Sequence, residues 1–196
     1  MIHNRTFLLV IVILTTSASL TLGASSIVFQ QALGQAHGNQ NLSKYTITEA
    51  QVNNLTNAMN AAFGQPFYVL GNSQDLSSQV MRTNPLETQD TYKVNGTMKE
   101  VGNISETGTY VSTYRPGSIH SVGSGTLATF DGTGTATFTA ADEGQQDANG
   151  NLLYKGIVFY RAEPTGKLGF LDNKIGLYVY WQDAKGNDWS KVWEWK

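Results

Sequence analysis

Two patterns of apolar residues divide the chain. Over Tyr45–Gly64, apolar side chains recur at intervals of three and four residues, which predicts one amphipathic helix. Thr46 and Glu49 have the spacing of a capping box at its start, and Gly64, closely followed by a proline, predicts its end. From Phe67 onward, apolar residues occur in short stretches rich in Thr, Val and Tyr, which is typical of strands.

Turn dipeptides separate these strand-like stretches. Asn-Gly and Asp-Gly favour tight hairpins because the turn needs residues with positive φ. The intervals are about 8–15 residues, too short for crossover helices, so the pattern predicts an antiparallel sandwich or an up-and-down barrel of about eight strands. The predicted turns are Asn95-Gly96, Pro116-Gly117, Asp131-Gly132, Asn149-Gly150 and Lys185-Gly186-Asn187. Two near-copies, Gly125–Phe130 (GTLATF) and Gly134–Phe138 (GTATF), predict a hairpin across Asp131-Gly132.

The N-terminal segment has the pattern of an export signal. No Asp, Glu, Lys or Arg occurs from Thr6 to Ser43, and the apolar run Phe7–Leu14 follows Arg5. Cleavage is expected near Gly23–Ser25 or after Ala36, although an uncleaved anchor is also long enough to cross a membrane. We therefore divide the chain into an export signal or anchor (1–36), a linker with the helix (37–66) and a β-barrel (67–196).

Composition narrows the classes of function. The chain has no cysteine, which excludes a disulfide scaffold, a cysteine-ligated metal and a thiol nucleophile. Its formal net charge of -2 argues against nucleic acid as a partner, which requires a basic surface. Export places the barrel outside the cell or on the outer face of its membrane, and the membrane is then a partner only through the N-terminal segment. The residues indicate no cofactor.

Several motifs between Thr107 and Lys196 resemble a family of exported archaeal proteins of unknown function. They are Tyr114–Gly117 (YRPG), the GTLATFDGTGTATF hairpin, Gly166–Asn173 (GKLGFLDN) and the closing Lys191–Lys196 (KVWEWK). The resemblance extends to calycin-type barrels, including those shaped like allene oxide cyclase. It implies an extracellular barrel in which Glu143–Gly150 is an insertion. The family has no established activity, so it implies no catalytic residue.

Aromatic residues are the main candidates for ligand binding. All four tryptophans lie in the last sixteen residues, and period-two alternation gives Trp189, Trp193 and Trp195 a common face. They could pack structurally, line a ligand cavity or stack on a sugar. Arg115 is a candidate cation at the cavity mouth, or else a rim or turn residue. The ligand-binding candidates are Trp189, Trp193, Trp195, Tyr178, Tyr180, Phe159 and Arg115.

Histidine and carboxylate residues give further hypotheses. If cleavage follows Ala36, the new N-terminus at His37 could bind copper together with His120, because amine and imidazole nitrogens suit that metal. Otherwise His37 lies in a linker and His120 in a turn or on a strand surface. Glu100, Glu106 and Asp131 are expected on an exposed sheet surface, and Asp142, Glu143 and Asp147 in a solvated hairpin loop. Glycosylation sequons lie at Asn41, Asn54, Asn95 and Asn103, with Asn95 expected at a hairpin tip.

These observations favour one function over two alternatives. The main hypothesis is an exported barrel that binds a small apolar or aromatic ligand without catalysis, because a barrel of about eight strands can hold one ligand. One alternative is a structural or interaction protein of the cell envelope. The other is an enzyme, either a cyclase-like isomerase or an oxidase with the copper site at His37.

Overall fold

The computed structural model describes residues 46–196, which form one helix and eight strands. Helix α1 spans Glu49–Phe63. The strands are β1 (Tyr68–Thr83), β2 (Leu86–Met98), β3 (Gly102–Arg115), β4 (Ser118–Thr129), β5 (Thr135–Gln146), β6 (Leu152–Ala162), β7 (Ile175–Gln182) and β8 (Asp188–Glu194). A 3₁₀ turn, Gly169–Leu171, lies between β6 and β7.

The eight strands form a closed antiparallel barrel in which each strand pairs with its neighbours in sequence. Closure comes from β1 and β8, where Tyr68–Gly71 pairs with Trp189–Val192. Beyond Gly71, β1 leaves β8 and continues against β2 alone as far as Thr83. The predicted class, a mainly β up-and-down barrel of about eight strands with one preceding helix, is confirmed.

Most of the predicted turns are confirmed. Gly117, Gly132, Gly150 and Gly186 all have φ between 71° and 92°, the backbone conformation for which Asp-Gly and Asn-Gly turns select glycine. The duplicated segments form the predicted β4–β5 hairpin, in which Gly125 lies opposite Phe138.

The predicted turn at Asn95-Gly96 is wrong. Both residues lie within β2, where Gly96 pairs with Ile104, and the chain reverses at Lys99–Val101 instead. Gly96 allows β1 and β2 to pack closely. A Cβ at this position would lie only 2.5 Å from the Val69 carbonyl oxygen. Asn95 is therefore an exposed strand residue and not a hairpin tip.

The helix is shorter than predicted and lies on the outside of the barrel. Its capping box joins Thr48 and Gln51, whose side chains each accept a hydrogen bond from the other residue's backbone, so the predicted pair Thr46–Glu49 is wrong. Gly64 ends the helix as predicted, with φ 85°. Trp193 Nε1 donates to Asn60 Oδ1 at 3.0 Å, which joins α1 to the outer face of β8. Among residues 46–196, no helix is long and apolar enough to span a membrane.

One end of the barrel is filled by apolar side chains. This is the end at which β1 begins and β2 ends, and the β6–β7 connection folds across it with Leu168 and Leu171 fully buried. Tyr68, Met98 and Ile104, each at most 1% exposed, complete the packed end. At the opposite end the strands of the β1–β2 hairpin extend outward, so any internal space opens at that end.

Candidate functional site

A cavity of about 430 Å³ occupies the barrel interior and is lined by residues from all eight strands. This volume lies within the roughly 300–1,000 Å³ typical of sites for small organic ligands. Leu76, Ser77 and Ser78 line the cavity and are also exposed to solvent, which places its mouth beside the free part of β1. The cavity is therefore a pocket with a packed floor and one mouth.

Tyrosine is the predominant aromatic residue of the cavity wall. Burial raises the pKa of these phenols, so they are neutral hydrogen-bond donors at physiological pH. Tyr92 and Tyr110 have ring centroids 6.0 Å apart, and those of Tyr154 and Tyr180 are 5.9 Å apart. The seven lining tyrosines are Tyr92, Tyr110, Tyr114, Tyr154, Tyr160, Tyr178 and Tyr180.

Inward-facing glycines hold these rings against the wall. In each case an aromatic residue lies directly opposite a glycine on the adjacent strand, and a Cβ on that glycine would come within 2.7 Å of the ring. The ring thus lies flat over the glycine, as in aromatic rescue of strand glycines, and the barrel axis stays open. The pairs are Tyr92–Gly108, Tyr110–Gly123, Phe138–Gly125, Tyr154–Gly144 and Tyr178–Gly156.

Glu106 is the deepest carboxyl group in the cavity wall. It is buried on the inner face of β3 and accepts a hydrogen bond from Tyr92 Oη at 2.7 Å. Burial raises its pKa to about 7, although the hydrogen bond from Tyr92 partly opposes the shift. The expectation of an exposed position for Glu106 is therefore wrong.

Asp142 lies on β5 nearer the middle of the pocket. It is 8% exposed, and its Oδ2 accepts a hydrogen bond from Tyr178 Oη. Its Oδ1 has no hydrogen-bond partner among the described residues. Burial raises the pKa of Asp142, and the neighbouring hydroxyl groups of Tyr178 and Ser121 lower it in part. The predicted solvated loop at this position is wrong because β5 continues through it.

Three further carboxyl groups lie near the mouth. Asp188 accepts hydrogen bonds from the Ser73 backbone at 3.0 Å and from Tyr180 Oη at 3.3 Å. Asp90 accepts one from Thr88 Oγ1 at 2.6 Å. Burial is the main cause that raises the pKa of Asp75, and the negative charges of Asp90 and Asp188 raise it further. All three residues line the cavity.

The structure brings together only part of the predicted aromatic set. Tyr178 and Tyr180 line the cavity and Trp189 borders it. Trp193 is fully buried, but on the outer face of β8 beneath α1. Phe159 and Trp195 are 45% and 54% exposed. None of these three residues lines the cavity, and neither does Arg115, which is exposed at the end of β3.

The predicted histidine and asparagine sites lie away from the cavity. His120 Nδ1 is 2.9 Å from Glu143 Oε1, and neither residue lines the pocket. His37 and Asn41 fall outside the described residues, whereas Asn54, Asn95 and Asn103 are exposed. Within residues 46–196, no three His, Cys, Asp or Glu residues are grouped so as to hold a metal ion.

Comparison with known proteins gave one structural likeness. The chain matches no family profile and no curated protein. It is similar to a solved structure titled as a protein with unknown function from Clostridium acetobutylicum ATCC 824, with 11% identity and a TM-score of 0.49. The match covers 67% of this chain and 97% of the other.

Proposed function

We propose that this protein binds one small organic molecule inside its barrel and does not transform it. The observation that supports this most strongly is the open, tyrosine-walled cavity of about 430 Å³. A barrel of eight strands is just wide enough for side chains to fill its interior. Here glycines opposite the rings leave that interior open, and this arrangement recurs on five strand pairs.

The cavity wall suits a ligand with a flat or apolar body. Ring faces of tyrosine offer large contact areas with few rotatable bonds, so little conformational entropy is lost on binding. Leu70, Val94 and Val158 add aliphatic surface toward the packed end. Phenol and serine hydroxyl groups supply polar contacts that can orient the ligand.

A pair of serine substitutions tests where such a ligand binds. Ser190 lines the cavity on β8, whereas Ser124 is exposed on β4 and does not line it. We expect S190F to reduce the fluorescence enhancement of the neutral probe N-phenyl-1-naphthylamine at least tenfold, and S124F to leave it unchanged. Circular dichroism and urea unfolding establish that both variants fold. Equal enhancement in the wild type and a folded S190F would contradict the proposal.

We further propose that residues 1–36 export the protein and that it belongs with the exported archaeal family that its C-terminal motifs resemble. The uncharged run from Thr6 to Ser43 supports export. N-terminal sequencing of protein recovered from the natural source tests it, because a start near Ser25 or at His37 is expected from cleavage. An intact Met1 would indicate an anchor or no export.

A further inference from the structure

The charges inside the barrel have one sign. Five carboxyl groups line the cavity, those of Asp75, Asp90, Glu106, Asp142 and Asp188, and among residues 46–196 no lysine, arginine or histidine lines it. The chain as a whole has 13 basic and 15 acidic residues, so its composition does not account for this separation. Within the described part of the chain, the fold places five acidic groups inside the barrel and the basic groups outside the cavity.

Tyrosine hydroxyl groups orient three of these carboxyl groups. Tyr92 donates to Glu106, Tyr178 to Asp142 and Tyr180 to Asp188. Each such hydrogen bond occupies the phenol hydroxyl, and the rings of Tyr92 and Tyr178 lie over glycines with a face toward the pocket. An organic ammonium group is bound by carboxylates through ion pairing and by aromatic ring faces through cation–π attraction. The cavity wall offers both.

Asp142 provides an independent indication of a ligand. It is more than nine-tenths buried, faces the cavity, and has one carboxyl oxygen with no hydrogen-bond partner among the described residues. A buried polar atom without a partner is costly, and the cost is greater for a charged group. A cation in the pocket beside the Asp142 carboxylate would offset that cost by pairing with its charge.

Given the ligand-binding function proposed above, we propose that the ligand is an organic cation whose ammonium group binds beside Asp142. Its aromatic or aliphatic body then lies along the tyrosine wall toward Val158 and Val94. A quaternary or a protonated primary amine satisfies this description, because both combine a localised positive charge with an apolar body. An anionic ligand is disfavoured, since it would meet five carboxyl groups and no cation.

Two probes of equal shape distinguish the effect of ligand charge on affinity from the effect of ligand size. Phenyltrimethylammonium and tert-butylbenzene differ by one nitrogen in place of one carbon. By calorimetry at pH 8 and low salt we expect the cation to bind the wild type at least tenfold more tightly. Equal affinity, or tighter binding of tert-butylbenzene, overturns the charge assignment while the proposal of a ligand-binding barrel stands. Failure of both probes to bind counts against both proposals.

Substitutions at two neighbouring residues test which carboxyl group binds the cation. D142N removes the inward-facing charge, whereas E143Q removes a charge from the next residue, which does not line the cavity. Loss of the negative charge that pairs with the bound cation predicts a decrease in phenyltrimethylammonium affinity of about tenfold to a hundredfold for D142N. We expect less than twofold for E143Q, and no change for tert-butylbenzene in either variant. Equal losses of cation affinity in D142N and E143Q would overturn the assignment to Asp142.

Discussion

Replacing Trp193 by alanine is expected to destabilise the protein by about 3–5 kcal/mol, the usual cost of removing a large buried aromatic side chain. Trp193 is fully buried on the outer face of β8. It also donates to Asn60 Oδ1 and so holds α1 on the barrel. The substitution creates a cavity and removes the hydrogen bond that joins the two elements. Urea unfolding monitored by circular dichroism measures the loss.

Trp195 supplies the control for this prediction. It lies two residues further along the chain and is 54% exposed. We expect W195A to change the free energy of unfolding by no more than about 0.5 kcal/mol, as is usual for surface substitutions. A loss for W193A as small as the one expected for W195A would mean that the packing of α1 over β8 contributes little to stability.

Replacing Asp147 by alanine is expected to cost about 3 kcal/mol, because it leaves one buried and two partly buried backbone N–H groups without their acceptor. Asp147 is 2% exposed and begins the β5–β6 connection. Its carboxylate accepts hydrogen bonds at 2.9 Å from the backbone N–H groups of Ile47, Asn149 and Asn151. The bond from Ile47 joins the segment before α1 to the barrel.

The chain contains a second copy of this turn that serves as the control. Asp183 to Asn187 repeats the Asp-Ala-x-Gly-Asn sequence of Asp147 to Asn151. Asp183 accepts from the Lys185 and Asn187 backbones at 2.8 and 2.9 Å, but it is only half-buried and these hydrogen bonds are exposed to solvent. We expect D183A to cost about 1 kcal/mol. Equal costs at the two sites would show that the contact with Ile47 adds nothing.

The same contacts predict sensitivity to acid. Burial acts to raise the pKa of Asp147, but hydrogen bonds from the Asn151 side chain and from three backbone N–H groups outweigh it and hold the pKa below its usual value. The resulting stabilisation is present above the ordinary aspartate pKa of about 3.9 and is lost as the pH falls through the lowered one. In D147A this part of the acid dependence should be missing from unfolding curves recorded between pH 5 and pH 2.

Local chemistry in the sequence predicts the barrel well. Gly117, Gly132, Gly150 and Gly186 lie in turns because each adopts a positive φ, and dipeptides such as Asp-Gly signal that requirement. The same logic fails at Asn95-Gly96, because a glycine within a strand can serve close packing instead of a turn. A single dipeptide cannot distinguish these two uses.

The cavity was predicted less well, because alternation along a strand separates two faces without saying which one points inward. On β7 and β8 the inner face contains Tyr178 and Tyr180, whereas Trp193 lies on the outer face beneath the helix. The prediction gave weight to the tryptophans because all four lie in the last sixteen residues. Closure of the barrel and docking of α1, which depend on contacts distant in sequence, decide between the faces.

A signal for the cavity was nevertheless present in the sequence. Glycines such as Gly108 and Gly156 interrupt strands rich in Thr, Tyr and Val, and each lies opposite a tyrosine once the hairpin register is drawn. Asp142 was missed because the polar sequence after it resembles a loop. The strand continues there with polar residues on its outer face and Gly144 facing Tyr154.

Native mass spectrometry of the protein isolated from its natural source, without denaturation, tests the central claim most directly. We predict one additional small mass per chain that is released on denaturation and carries a basic nitrogen when fragmented. That mass should be absent from a folded S190F variant produced in the same cells and present in S124F. Recovery of the wild type with no bound molecule, or with a bound molecule that S190F retains, would contradict the account.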